Sequence, residues 1–152
     1  MFRVTTVLAI ALLLVAQRTE AQSVEDCARM ADRWSDTFSN GKTLEAMTGL
    51  FLPNALVFGT GSKELGTKTA DVAAYFANVF SRPAASRSKN AIKSQEAIQV
   101  ASSVWVIAGL YDFLGVAADG SQTVTPARFH FVVVREGSQC KIAAFNSSRV
   151  PG

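Results

Sequence analysis

The segment 127–135 carries two arginines and the only histidine of this chain. Arg128 and His130 are two residues apart, so in an extended strand they share one face. An arginine on a mainly apolar strand needs a carboxylate, a carbonyl or an anionic ligand to offset its desolvation. Arg128 is therefore either an anchor for a ligand carboxylate or enolate oxygen, or half of an internal ion pair, for instance with Asp112. His130 is a candidate ligand-binding residue or base, although a lone strand histidine is more often structural.

Tyr111 and Asp112 are the best candidates for proton-transfer chemistry. A carboxylate in an apolar pocket can remove a proton next to a carbonyl group. A tyrosine hydroxyl can stabilise the enolate oxygen that results. Neighbouring strand residues point to opposite faces, so Tyr111 and Asp112 cannot both point into one pocket. An exposed Asp112 at a strand end is the alternative.

Further ligand-binding candidates are an amide and a set of aromatic rings. Asn146 could orient a ligand through its amide, or fix the last strand to its neighbour. The aromatic candidates for a pocket lining are Trp34, Tyr75, Phe76 and Phe58. Aromatic residues at helical spacing also form cores, so both roles stay open for them.

Several kinds of chemistry lack the residues that they need. One histidine, no Cys-x-x-Cys and no His-Glu-His cluster leave too few ligands for a metal. The chain has no nucleophile-elbow Gly-x-Ser-x-Gly and none of the kinase motifs, so neither a hydrolase nor a kinase is expected. No cofactor is predicted. The basic segment 82–93 lacks the aromatic residues that stack on nucleic acid, so no nucleic-acid partner is expected.

Residues 1–21 resemble a signal peptide. A positive start at Met1-Phe-Arg3 precedes an apolar run over 4–16, and Thr19-Glu20-Ala21 supplies the small residues of a cleavage site before Gln22. The run is shorter than the ~20 residues of a membrane-spanning helix, so stable membrane insertion is not expected after cleavage. An uncleaved anchor is the alternative. The sequence predicts export to the periplasm or the medium.

Residues 22–152 have the size of one domain. Removal of the first 21 residues leaves 13 basic and 11 acidic side chains, a net charge of +2. Such a weak positive balance favours neither nucleic acid nor a membrane surface as a partner.

The two cysteines of the chain, Cys27 and Cys140, are far apart in sequence. In an oxidising compartment such a pair is more often a structural disulfide than a redox pair. Two separate buried thiols are the alternative.

Helical periodicity comes first along the chain and strand periodicity second. The spacing predicts helices over 23–39, over 43–51 ending before Pro53, and over 70–81 capped by Thr69. A short strand is expected at 55–59 between the second and third helices. Four longer strands follow at 88–100, 104–115, 123–135 and 139–148, the last two joined by a turn at Glu136-Gly137. The order indicates an α+β domain with three helices packed on one face of a curved antiparallel sheet.

This layout resembles the nuclear-transport-factor-2-like superfamily. More narrowly, it resembles SnoaL-like proteins and the exported relatives of the calcium/calmodulin-dependent protein kinase II association domain. The resemblance covers 22–152 and is carried by Arg33-Trp34, Tyr75-Phe76, Gly109-Leu-Tyr-Asp-Phe113, Pro126-Ala-Arg-Phe-His-Phe-Val132 and Ser147-Ser-Arg-Val-Pro151.

The resemblance implies a cone-shaped half-barrel with a pocket between its helices and the concave sheet. It also implies a homodimer formed through the sheets, or a larger ring. The chain departs from its relatives where they carry a tryptophan, at Cys140, and histidines, at Ala144, Phe145 and Asn146. Loss of those imidazoles puts any histidine-dependent activity in doubt.

The sequence therefore leaves two alternative functions. The first is an exported homo-oligomeric binding module for a small apolar or carboxylate-bearing ligand, without kinase activity. The alternative is a cofactor-independent isomerase or cyclase that moves a proton on a carbonyl compound, with Asp112 as base and Arg128 or Tyr111 at the enolate oxygen.

Overall fold

The computed structural model describes residues 24–83, 86–117 and 119–152. The predicted signal segment 1–21 and Ser23, where the first helix is predicted to begin, lie outside these residues, so both stay predictions. Within the described part, no helix is long and apolar enough to cross a membrane.

The helices are a helical segment at 24–28 and, directly after it, α1 (Met30–Asn40), α2 (Leu44–Thr48) and α3 (Thr69–Phe80). The apolar positions predicted for the first helix form one buried stripe: Cys27, Ala31, Trp34 and Phe38 are all less than 5% exposed. The Thr43 hydroxyl accepts a hydrogen bond from the Ala46 amide and caps α2, at the position where the second helix is predicted to begin. The Thr69 hydroxyl instead donates to the Pro53 carbonyl, so it is not a cap.

The prediction that the second helix extends to Phe51 is wrong. The helix ends at Thr48, and β1 (Phe51–Phe58) already includes Pro53. Proline cannot donate a ladder hydrogen bond, but β1 is an edge strand, and the only strand of the described sheet that it pairs with is the last one. Its register shifts between Phe51 and Leu56, on either side of the proline.

Four longer strands follow: β2 (Lys89–Ala101), β3 (Val104–Val116), β4 (Gln122–Glu136) and β5 (Gln139–Arg149). The sheet order is β1-β5-β4-β3-β2. The four long strands are antiparallel, as predicted, whereas β1 is parallel to β5, so the sheet is mixed. Gly137 adopts a positive φ of 61° in the β4–β5 turn, a conformation that glycine adopts without strain.

The helices cover one face of the sheet, called here the inner face. On β4 this face carries Phe129, Phe131 and Val133, each at most 3% exposed, while Arg128 and His130 are exposed on the outer face. A bulge in β5 shifts the register between the partners of Val132 and Val133. Because the bulge adds one residue, the inward positions of β5 change from even to odd numbers along the strand.

The predicted fold class is confirmed. Helices pack on a five-stranded sheet that does not close, as in an α+β half-barrel. The predicted disulfide is present as well: Cys27 and Cys140 are bonded, with their Cα atoms 5.2 Å apart. The bond joins the helical segment 24–28 to the start of β5 and is buried in the core.

Candidate functional site

A cavity of about 370 Å³ lies between the helices and the inner face of the sheet. Its walls are mainly aromatic, and Trp34 meets Tyr111 edge to face with ring centroids 5.6 Å apart. The lining residues are Trp34, Phe38, Thr60, Gly61, Tyr75, Phe76, Asn90, Tyr111, Phe113, Thr123, Thr125, Ala127 and Arg149. The volume is at the lower end of the range for small-molecule sites, so it suits a ligand of one or two rings.

Hydroxyl groups cluster at one wall of this cavity. The Ser147 hydroxyl lies 2.5 Å from the Thr60 hydroxyl and 2.8 Å from that of Tyr111, which is itself 3.2 Å from Thr60. Burial, with a smaller contribution from Tyr111, raises the pKa of Tyr75 to about 12. Tyr75 therefore keeps its proton at neutral pH and offers a neutral hydroxyl rather than a phenolate.

The ring of Tyr75 is fixed by close packing against Gly59, the residue that follows β1. The ring lies so near Gly59 that a Cβ atom there would overlap it. A glycine at position 59 is thus required by the approach of the ring rather than by its own backbone angles.

Two of the lining residues have polar atoms that are covered by the protein and make no hydrogen bond with its described atoms. The Asn90 side-chain amide and the Trp34 indole Nε1 are buried and make no hydrogen bond with the described protein atoms. The Asn90 backbone is held firmly, because its carbonyl accepts from Ser35 and Ser39 and its amide donates to Ser39 at 2.9 Å. The side chain therefore starts from a fixed position on the cavity wall.

Arg149 supplies the only charge among the described residues that line the cavity. It lies near the end of β5, opposite Ala127 of β4, and is exposed to solvent. No described carboxylate lies within ion-pair distance of it. The described lining therefore combines aromatic rings and neutral polar side chains with one positive charge at a solvent-exposed residue.

The described lining offers aromatic rings, hydroxyl groups, one amide and one guanidinium. The described lining holds no carboxylate and no imidazole, which are the usual general bases. No group of three or more histidine, cysteine or acidic residues in the described chain could hold a metal ion.

The structure separates the predicted site residues into two groups on opposite faces. Trp34, Tyr75 and Tyr111 line the inner cavity, together with Phe76. The other group is on the outer face: Arg128, His130 and Asn146 line an open depression of about 680 Å³, and Phe58 is 42% exposed. The roles of all these residues in binding stay predictions, but the two groups cannot contact one ligand.

Arg128 and Asp112 have different polar partners on the outer face. Arg128 Nε donates to the Ser148 hydroxyl at 2.8 Å. Asp112 pairs with Lys93 at 3.5 Å, so the suggested Asp112–Arg128 ion pair is wrong. As Asp112 and Tyr111 point to opposite faces, the proposed base does not share the cavity with the tyrosine.

The cavity also contains polar residues that the sequence did not single out, namely Asn90, Thr60 and Arg149, with Ser147 beside them. Thr60 and Asn90 lie near the ends of predicted strands, where pocket residues are common, so their position could have indicated a role in the pocket. Arg149 belongs to the Ser147-Ser-Arg-Val-Pro151 segment that carries the resemblance, but strand alternation did not place it in the pocket, because its inward direction depends on the bulge in β5.

Comparison with known sequences and structures places the fold. No protein-family model and no curated protein matches the sequence. Solved structures do match, and the likeness extends over most of each chain. A protein from Xanthomonas campestris described as a calcium/calmodulin-dependent protein kinase II association domain is 21% identical, with a TM-score of 0.72 over 81% of this chain and 84% of that one.

Two proteins from Novosphingobium aromaticivorans are similar as well. One, described as NTF2-like with a cystatin-like fold, is 13% identical, with a TM-score of 0.65 over 100% of this chain and 94% of that one. The other, described as a scytalone dehydratase, is 11% identical, with a TM-score of 0.69 over 89% and 87% of the two chains. These likenesses confirm that the chain has the predicted NTF2-like, SnoaL-like fold.

Proposed function

We propose that this protein is an exported homo-oligomeric module that holds a small apolar or carboxylate-bearing ligand in its inner cavity. The observation that carries the proposal is the cavity itself, which is enclosed by aromatic rings on both the helices and the sheet. Enclosure of this kind buries most of a small ligand and provides the apolar contact that drives its binding.

Binding is better supported than catalysis. A proton-transfer enzyme needs a base within hydrogen-bond reach of its substrate. Tyr75 stays protonated at neutral pH, and the described carboxylates lie outside the cavity lining. The hydroxyl wall can orient a ligand but does not accept a proton from carbon.

The outer face of the sheet supports self-association. Its exposed apolar side chains, called here the outer patch, include Leu56 and Phe58 on β1, Ile98 on β2 and Leu110 on β3, which are 42% to 60% exposed. Glu96 and Arg128 lie on the same face, so two copies related by a two-fold axis could offer opposite charges to each other. Large exposed apolar patches usually mark contacts with another protein.

Export is supported by the segment 1–21 and by the disulfide, because structural disulfides persist mainly in oxidising compartments. Intact-mass measurement of the secreted or periplasmic protein should give a chain beginning at Gln22. A chain beginning at Met1 would contradict cleavage.

Native mass spectrometry of the protein purified from that compartment tests the module directly. We expect a dimer or a larger ring, with one extra small-molecule mass per chain. A monomer without any bound mass would refute the proposal.

A pair of neighbouring substitutions tests whether the ligand occupies the inner cavity. Thr125→Phe adds a ring inside the cavity, whereas Val124→Phe adds the same ring on the outer face, where Val124 is 61% exposed. The first variant should lose the extra mass and the second should keep it. Loss in the second variant alone would place the ligand on the outer face.

A second pair tests the interface. Ile98→Lys introduces a charge into the outer patch, and Leu65→Lys introduces one at an exposed leucine outside the helices and strands. Light scattering after size exclusion should show smaller assemblies for the first variant only. Unchanged assembly of Ile98→Lys would contradict an interface through the sheet.

The alternative function, an isomerase or cyclase, has less support. Tyr111 could donate to an enolate oxygen, but Asp112 lies on the other face of β3 and pairs with Lys93. If turnover of a carbonyl compound were found and Asp112→Asn abolished it while ligand affinity persisted, the enzyme would replace the binding module.

A further inference from the structure

A second depression lies beside the inner cavity and shares part of its wall. It has a volume of about 280 Å³ and lies between the last turn of α3, the end of β3 and the start of β4. Asn78 and Val79 line it on the helix side, and Val116 lines it on the sheet side. Phe113 and Thr123 line both this depression and the inner cavity. These two residues therefore form the common wall of the two spaces.

The position of the Phe113 ring depends on the two helices that cover the cavity. Phe113 is half-buried, and its ring meets that of Phe38 edge to face with centroids 6.2 Å apart. Phe38 belongs to α1 and in turn meets Phe76 of α3, again at 6.2 Å. Because the three rings support one another, a change in the distance between α1 and α3 changes the support of the common wall.

Arg87 connects the C-terminal ends of these two helices. Its guanidinium donates at 2.6 Å to the carbonyl of Gly41, directly after α1, and at 3.4 Å to that of Arg82, two residues after α3. It also lies over the Phe80 ring, 4.6 Å from the centroid. The C-terminal end of a helix carries a partial negative charge, so both helix ends attract this cation.

The closed arrangement leaves Arg87 incompletely satisfied. The residue is 6% exposed, and no described carboxylate lies within ion-pair distance of it. Its Nε is covered and makes no hydrogen bond with the described protein atoms. The bond to Arg82 is longer than the usual range for N–H···O, so the connection to α3 is the weaker one. Water would satisfy these groups, so hydration favours separation of the helix ends, which the Phe80 contact and the Gly41 bond oppose.

We propose that the depression is a side entrance to the inner cavity, with the Phe113 ring as its gate and Arg87 as the clasp that holds the gate closed. When the bond to Arg82 breaks, the end of α3 moves away from α1, and Phe76 separates from Phe38. The Phe113 ring then loses its support and turns away from the common wall. The entrance requires no particular ligand, so this inference goes beyond the proposed function and does not depend on it.

Acrylamide quenching of tryptophan fluorescence tests the entrance without any ligand. Acrylamide is a small neutral quencher, and Trp34 lines the inner cavity while being only 2% exposed. Trp105 is the one other tryptophan of the chain, so the purified full-length protein carries Trp105→Phe, which leaves Trp34 as the only emitter.

Arg87→Met removes both carbonyl bonds and should raise the quenching rate constant of Trp34 at least threefold. Arg87→Lys should raise it less, because an ammonium group keeps the charge but lacks the planar fork that reaches two carbonyls. Arg29→Met is the matched control, since Arg29 is an exposed arginine at the other end of α1. It should leave the quenching unchanged.

A second pair of substitutions tests the path. Asn78→Phe places a ring in the depression and, combined with Arg87→Met, should return the quenching to its original value. Ala70→Phe adds the same ring at an exposed position in the first turn of α3, and with Arg87→Met it should leave the quenching raised. Raised quenching in both combinations would mean that acrylamide enters elsewhere, which would refute the side entrance.

Hydrogen exchange gives a second measurement in the protein that retains both tryptophans. The amides of 79–82 should exchange faster in Arg87→Met, whereas those of β4 and β5 should keep their protection. Equal exchange and equal quenching in Arg87→Met and the parent protein would overturn the clasp. Faster exchange throughout the chain would show general destabilisation and would contradict a gate. If Trp105→Phe does not fold, this exchange pattern decides.

Discussion

The Cys27–Cys140 disulfide should supply a large part of the stability of this domain. It closes a loop with a sequence separation of 113 residues. The chain-entropy model assigns such a cross-link about 5 kcal/mol, because it removes open conformations from the unfolded state. Domains of this size are stable by about 5–15 kcal/mol in total, so the loss would be severe.

The assay compares the oxidised protein with the reduced protein and with Cys27→Ala/Cys140→Ala in guanidinium unfolding. Both cysteines are at most 5% exposed, so reduction has to be done on the unfolded chain before it refolds in reductant. We expect the free energy of unfolding to fall by up to about 5 kcal/mol. The melting temperature should fall by roughly 15 °C, at about 3 °C per kcal/mol.

The single variants distinguish cross-linking from packing. A bridge needs both sulfurs, so Cys27→Ala alone should cost nearly as much as the double variant. Additive single losses would instead attribute the effect to packing of the side chains. A reduced protein within about 1 kcal/mol of the oxidised one, with both thiols shown to be free, would refute the loop-closure argument.

Three further outcomes are expected. Gly59→Ala should destabilise the fold by about 1–3 kcal/mol in urea unfolding and weaken ligand binding, because the new Cβ atom displaces the Tyr75 ring. Gly61→Ala is the control and should be nearly neutral, because no atom lies within 4 Å of the added Cβ atom. Since burial raises the pKa of Tyr75 from 10.0 to about 12, the folded state retains that proton longer than the unfolded state. The contribution of Tyr75 to the free energy of unfolding is complete below pH 10 and falls by up to about 2–3 kcal/mol between pH 10 and 12. Tyr75→Phe should lack this decline when the free energy of unfolding is measured across that pH range. Asp112→Asn removes a partly exposed ion pair with Lys93, so it should cost at most about 1 kcal/mol and leave ligand affinity unchanged; a large loss of affinity would return Asp112 to the site.

Local patterns in the sequence were sufficient for most of the elements. The stripe from Cys27 to Phe38 predicted the first helix because a 3.6-residue period places those side chains on one face. The alternation of Arg128 and Phe129 along β4 likewise sorted that strand into two faces. The prediction around Pro53 was wrong, because a strand can include a proline when the strand is at the edge of its sheet. Whether a strand is at the edge is a property of the whole sheet, which local sequence does not show.

The candidate site was only partly predictable. Tyr75 and Trp34 were expected at the pocket and lie there, but Arg128 was expected beside them and lies on the other side of the sheet. A period of two separates the faces of a strand without saying which face the helices will cover. Arg149 was missed for a related reason, because one inserted residue in β5 reverses the direction of every side chain after it.

The sequence by itself determined the order of helices and strands and the resemblance to an NTF2-like fold, and it favoured the disulfide that the structure confirms. Those properties follow from short-range periodicity, from the order of elements and from the small number of possible partners. Only the tertiary structure decided which polar residues meet in the cavity. That outcome depends on how the helices pack on the sheet and on the position of one bulge, and both are set by contacts between residues far apart in the chain.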